Sequence, residues 1–137
     1  SNPKKYKGDS QNIIYRSLWE RKFMNYCDLN ENILEWASEE FWIPYKDPTT
    51  NRVRRYFPDF FIKYKDKDSN IRRSVIEVKP MRETKEPKAT KGKSRKTLIN
   101  ESMTYVKNQA KWKAAREFCD DRKLEFKIMT EKELGIR

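Results

Sequence analysis

From Ile13 to about Cys27, apolar residues recur at helical spacing: Ile13, Ile14, Leu18, Trp19, Phe23, Met24 and Cys27. The pattern predicts a first helix, with Asp9 or Ser10 as its cap and Asp28 and Asn30 near its end. Residues 33–45, I-L-E-W-A-S-E-E-F-W-I-P-Y, are dense in aromatic and aliphatic side chains and suit one or two short strands. D-P-T-T-N at 47–51 is turn chemistry. The run R-Y-F-P-D-F-F-I-K-Y, residues 55–64, reads as a strand in which Pro58 marks a bulge, a start or an edge. A polar loop at 65–70 leads into a further strand over 71–79, as in a hairpin. Residues 81–97 then lose nearly all apolar content and read as a flexible basic loop. Helical spacing resumes from Leu98 to Cys119 through Ile99, Met103, Val106, Ala110 and Phe118, with Trp112 beside it. L-E-F-K-I-M at 124–129 alternates as a last strand. With no internal repeat, the 137 residues make a single α/β domain behind a basic tail at 1–10: helix, strands, helix, strand.

Two charged positions break this patterning. At 100° per residue, Glu20 falls between Ile13, Met24 and Cys27, inside the apolar stripe of the first helix. It is either a rim carboxylate that reaches out to water or a group with a partner on the core side. In V-I-E-V-K-P, residues 75–80, Glu77 and Lys79 share one strand face while Ile76 and Val78 pack on the other. Taking such charges out of water costs several kcal/mol unless they are paired or bound. They are either an ordinary ion pair or the edge of a working site.

Composition narrows the choice. Lys and Arg number 32 against 21 Asp and Glu, a formal charge of +11 that favours a polyanionic partner, DNA first. Histidine is absent, which excludes Ser-His-Asp and Cys-His catalysis and histidine-ligated zinc. Cys27 and Cys119 form no CxxC pair and read as small buried hydrophobes of a reducing compartment. Three glycines leave no phosphate-cradling Walker loop and no dinucleotide fingerprint, so no small-molecule cofactor is expected. No apolar run approaches the ~20 residues of a membrane span, and S-N-P-K-K-Y-K-G at the start has no leader pattern. The expectation is a soluble, intracellular protein with no membrane partner.

If the strands around Pro58 and Glu77 pair through the 65–70 loop, Asp59 and Glu77 come close at one end of the sheet. Two carboxylates at close range repel, and oxygen ligands with open coordination suit Mg²⁺ or Mn²⁺. Lys79 beside them could orient a water or stabilise charge on a phosphate, and an inward Glu20 would supply a third carboxylate. The simpler alternatives are a rim ion pair for Glu77 and Lys79 and a turn cap for Asp59. Trp19, Trp36, Trp42 and Trp112 read as core rather than base-stacking platforms. In the basic loop, Lys85, Lys88, Lys91, Lys93, Arg95 and Lys96 either track a DNA backbone or are a solvated surface.

Pro58-Asp59 followed by Glu77-x-Lys79 resembles the PD-(D/E)xK nuclease signature. With Glu20 on the first helix and R-Y-F-P-D-F, it resembles the TnsA-like branch. The stretches Y-R-S-L-W-E-R-K-F-M-N-Y-C-D and W-A-S-E-E-F-W-I-P-Y extend the similarity to the head-completion family of T-even-like tailed phages, over residues 6 to 130. The resemblance implies a restriction-endonuclease-like core, α-β-β-β-α-β, with a mixed sheet flanked by helices. It implies that Asp59 and Glu77 bind metal, that Lys79 serves the water, and that Glu20 completes the site. The backbone carbonyl of Val78 is a customary further ligand in that superfamily. Some relatives carry Q-x-x-x-Y on the helix after E-x-K; here Tyr105 precedes Gln109, so that role is not transferred. The implied function is Mg²⁺- or Mn²⁺-dependent DNA cleavage in phage head completion, in the virion and host cytoplasm, with head or neck proteins as partners. The rival is a non-catalytic DNA-binding plug or adaptor of the head.

Overall fold

Alternation and turn chemistry set the central hairpin. The computed structural model describes residues 18–38 and 41–134. Strand β4 (Phe60–Lys65) pairs antiparallel with β5 (Ile71–Val78), in a register running from Phe60 opposite Ile76 to Lys65 opposite Ile71. Asp66 holds the connecting turn by accepting from the backbone N–H groups of Asp68 and Asn70, both at 2.9 Å. Strand β1 (Ile33–Ser38) lies antiparallel on the far side of β4. A parallel neighbour for β5 needs a long crossover, which helix α2 (Arg95–Asp121) supplies before β6 (Glu125–Met129). The sheet order is therefore β1-β4-β5-β6, with one parallel pair in an otherwise antiparallel sheet.

Each face of this sheet is covered. Helix α1 (Leu18–Leu29) lays Phe23, Met24 and Cys27 against Trp36, Phe60, Ile62, Ile76 and Val78. On the other face, α2 packs Trp112 and Ala115 against Ile43, Tyr45 and Tyr56, with Phe126 and Ile128 of β6 alongside. Ile43, Tyr45 and Tyr56 come from an additional hairpin, β2 (Ile43–Asp47) and β3 (Arg52–Tyr56), which forms its own two-stranded sheet. Asn51 takes the left-handed conformation (φ 61°) in its turn, a conformation Asn tolerates better than most residues. With this hairpin set aside, the order is α1-β1-β4-β5-α2-β6, the expected α-β-β-β-α-β mixed sheet flanked by helices. A short helix, α3 (Glu131–Leu134), follows β6.

Several boundaries differ from the sequence expectation. The single strand over 55–64 is two strands in two sheets, divided at Phe57 and Pro58, because proline cannot donate to a ladder. The basic loop ends at 94 rather than 97 and holds a 3-10 turn at Met81–Thr84. Ser94 caps α2 by accepting from the Thr97 N–H at 3.1 Å, so Arg95 and Lys96 belong to the first helical turn. Ile99, Met103 and Val106 are exposed, and the buried stripe of α2 is Asn108, Trp112, Ala115 and Cys119. A 27-residue helix spans about 40 Å, more than the neighbouring strands, so its first half runs past the sheet. Trp36 and Trp112 are core and Trp19 is partly buried. Trp42 is instead 45% exposed, with the Arg55 guanidinium 4.7 Å from its ring centroid. Residues 1–17, with Ile13, Ile14 and the proposed caps Asp9 and Ser10, lie outside the described residues.

Candidate active site

The β4–β5 register builds the site. Phe60 is opposite Ile76, so one step further along the antiparallel pair brings Asp59 opposite Glu77. Phe60 and Ile76 point into the α1 layer, and Asp59 and Glu77 therefore face the α2 layer. Asp59 is fastened there: its Oδ2 accepts from the Val78 backbone N–H at 2.8 Å. Lys79 shares the Glu77 face, and its own N–H donates to the Met129 carbonyl at 3.0 Å, extending the β5–β6 pairing past the last strand residue. The strand interior thus delivers two carboxylates and a lysine to one sheet end.

Glu77 is 6% exposed, and its surroundings explain how a carboxyl is tolerated there. Tyr56, at the end of β3, donates its hydroxyl to Glu77 Oε1 at 2.8 Å. Burial pushes the Glu77 carboxyl above the usual carboxylate range. The Tyr56 bond, the Lys79 charge, the hydrogen bond with Asp59 and the Lys111 charge each pull it back in part. Tyr56 is itself pushed far up, by burial first and then by the Glu77 charge, so it stays a hydroxyl donor. The Trp112 indole faces that hydroxyl but falls short of a well-formed hydrogen bond, leaving its Nε1 without an acceptor among the described residues.

Lys111 arrives from α2. Its ammonium lies 5.8 Å from the ring centroids of both Tyr45 and Tyr56. Desolvation lowers its pKa, opposed by the attraction of Glu77 and reinforced by the repulsion of Lys79 and Lys107. One turn earlier, Lys107 lies 4.0 Å from Asp47 Oδ2, and Arg54 Nε lies 3.1 Å from the same oxygen. Asp47 Oδ1 accepts from the Thr49 hydroxyl at 2.6 Å and its N–H at 2.9 Å, and these bonds hold the carboxyl below its ordinary range. The β2–β3 hairpin is thereby clamped to α2, with Tyr56 aimed at Glu77 and the tyrosine rings under Lys111.

The structure brings Asp59, Glu77 and Lys79 together and treats the other expected residues differently. Glu20 is half-buried on the α1 face that carries Phe23, Met24 and Cys27, as its spacing indicated. That helix covers the Ile76 and Val78 face of the sheet, opposite the one Glu77 presents. Among the described residues no three His, Cys, Asp or Glu side chains are grouped to hold a metal ion. Val78 contributes its N–H to Asp59. Lys85, Lys88, Lys91, Arg95 and Lys96 are exposed. Lys93 is half-buried, ion-paired to Glu101 at 2.9 Å and donating to the Lys88 carbonyl, so it fastens the loop to α2.

Tyr56 and Lys111 were not singled out from the sequence. Lys111 carried a signal nonetheless: it stands three residues after Asn108 and four before Ala115, inside the buried stripe of α2, as Glu20 does in α1. Tyr56 gave no such signal, because a tyrosine at a strand end is ordinary core.

Residues 30–131 match the family described as TnsA-like endonuclease N terminal, from β1 through β6. The chain is also 38% identical over 133 residues to the head completion nuclease of Enterobacteria phage T4, covering 95% of this chain and 86% of that one. On these matches and this fold, the chain belongs to the TnsA-like endonuclease family.

Proposed function

We propose that this nuclease hydrolyses DNA phosphodiester bonds at the Asp59–Glu77–Lys79 cluster and acts in phage head completion. The observation that carries the reading is the cross-strand juxtaposition of Asp59 and Glu77, with Lys79 on the same face and Lys111 above. Membership in the family implies divalent-metal dependence. Two facing carboxylates, one of them buried and hard to ionise alone, fit a hard cation such as Mg²⁺ or Mn²⁺. In this reading Asp59 and Glu77 hold the ion with the Val78 carbonyl, and Glu20, on the helix across the sheet, is the further carboxylate that the test below includes or removes. When bound, the metal polarises the phosphoryl group and lowers the pKa of a water.

The chain's own groups do the rest. Tyr56 fixes the Glu77 carboxylate in orientation, and the Val78 N–H fixes Asp59. Lys79 orients the attacking water or stabilises charge on the phosphate oxygens. Lys111 adds positive charge where negative charge develops. The water oxygen forms a bond to phosphorus as the bond to the leaving oxygen breaks. Exposed Lys85, Lys88, Lys91, Arg95 and Lys96 hold the DNA backbone nearby, a salt-sensitive contact. The 38% identity to a head completion nuclease supports placing the activity at the end of head assembly, in virion and host cytoplasm, beside head or neck proteins.

The test is cleavage of linear, nicked and circular DNA with Mg²⁺, Mn²⁺ or EDTA, by wild type, Asp59→Ala, Lys79→Ala and Glu20→Gln. Metal-dependent cutting lost in the first two variants supports the site, and loss in the third adds Glu20 to it. DNA binding with no cutting under any metal would favour a structural plug of the head.

A further inference from the structure

A cavity of about 750 Å³ lies between the 82–93 segment and the first half of α2. It has the size of an ordinary small-ligand site. One wall begins with Arg82, three residues after Lys79; the other runs along Thr104, Tyr105 and Asn108, one helical turn before Lys111. Both walls therefore start close in sequence to Lys79 and Lys111.

Its lining is selective. Asn108 is 5% exposed and borders the cavity. Its side-chain amide offers two donors and an acceptor on that wall. Half-buried Tyr105 lies beside it on the same wall and supplies an aromatic face. Across from them stand Arg82, Lys85 and Lys88, while Lys93 is paired with Glu101. Glu83 and Glu86 share that wall, and their charge disfavours several phosphates at once. An amide for a base edge, a ring for stacking and cations for one phosphate describe a single unpaired nucleotide.

We infer that this cavity is a subsite for one unpaired nucleotide next to the cleaved bond, so that the enzyme distinguishes DNA carrying a single-stranded end from blunt duplex. The inference rests on the nuclease reading for its biological sense, but the subsite itself can be measured without catalysis.

The experiment is fluorescence anisotropy in EDTA at fixed salt, with the same duplex made blunt or given a short single-stranded overhang. Wild type binds the overhang duplex roughly fivefold or more tightly, the scale of one base stacked on an aromatic ring. Tyr105→Ala and Asn108→Ala bring the two duplexes to equal affinity with blunt binding unchanged, and Tyr105→Phe keeps the preference. Equal binding of both duplexes by wild type, or a preference that survives Tyr105→Ala, overturns the subsite. If Asn108→Ala fails to fold, the Tyr105 pair alone decides. A preference without any metal-dependent cutting would leave the subsite standing and remove the nuclease reading.

Discussion

Replacing Tyr56 by Phe removes one hydroxyl and leaves the ring in the core. Tyr56 is 4% exposed and its hydroxyl donates to Glu77 Oε1 at 2.8 Å, in a place no water easily refills. A hydrogen bond to a charged group contributes about 1.5–3 kcal/mol. Here it favours the ionised carboxyl, so its loss raises the Glu77 pKa further. That pKa already lies above the ordinary glutamate value. Between the two values the native state binds more protons than the unfolded one, so apo stability falls as pH rises through this window. Metal binding needs the carboxylate and strengthens over the same window. In Tyr56→Phe both profiles move to higher pH. Mn²⁺ titrations across pH, with melting curves of the metal-free protein in the same buffers, read both. Wild-type and Tyr56→Phe profiles that superimpose would refute the role given to Tyr56.

Lys111→Met removes a half-desolvated ammonium while keeping its aliphatic bulk. DNA cleavage should fall by roughly tenfold or more, with thermal stability unchanged or raised, by kinetics and calorimetry. Ser94→Ala leaves the Thr97 N–H without its cap acceptor, costing about 1 kcal/mol in urea unfolding. Asp47 is held below its usual pKa, so its contribution is present above the ordinary aspartate range and is lost as pH falls through the depressed value. Asp47→Asn should therefore melt earlier than wild type at neutral pH, and the gap should close in acid.

The β4–β5 pair was legible because two local rules agreed. Period-two alternation put Glu77 and Lys79 on one face, and the turn at 65–70 fixed the register that places Asp59 across from Glu77. The helical period likewise placed Glu20 on the packed side of α1. It could not say which face of the sheet α1 covers; α1 packs on the Ile76 and Val78 face. The β2–β3 hairpin was hidden by Pro58: the run R-Y-F-P-D-F has continuous strand propensity, and only tertiary packing reveals that Tyr56 and Phe60 serve different sheets. Ile99, Met103 and Val106 have helical spacing without burial, because periodicity reports a face and not whether anything covers it. Cys27 and Cys119 are buried, as small apolar residues should be, and burial pushes the Cys119 thiol up to about 11.

Relaxation of supercoiled plasmid by Glu77→Gln, beside Glu125→Gln, tests the site most directly. Glu77→Gln keeps the shape of a buried side chain whose ionisation the fold opposes, so the metal-free protein should be as stable as wild type or more so. It should nevertheless lose Mg²⁺-dependent cleavage by about a hundredfold or more. Glu125, bonded to Tyr64 at 2.7 Å and to Ser74 at 2.9 Å elsewhere on the sheet, should be replaceable without loss of cutting. A Glu77→Gln variant that relaxes plasmid at the wild-type rate would contradict the account.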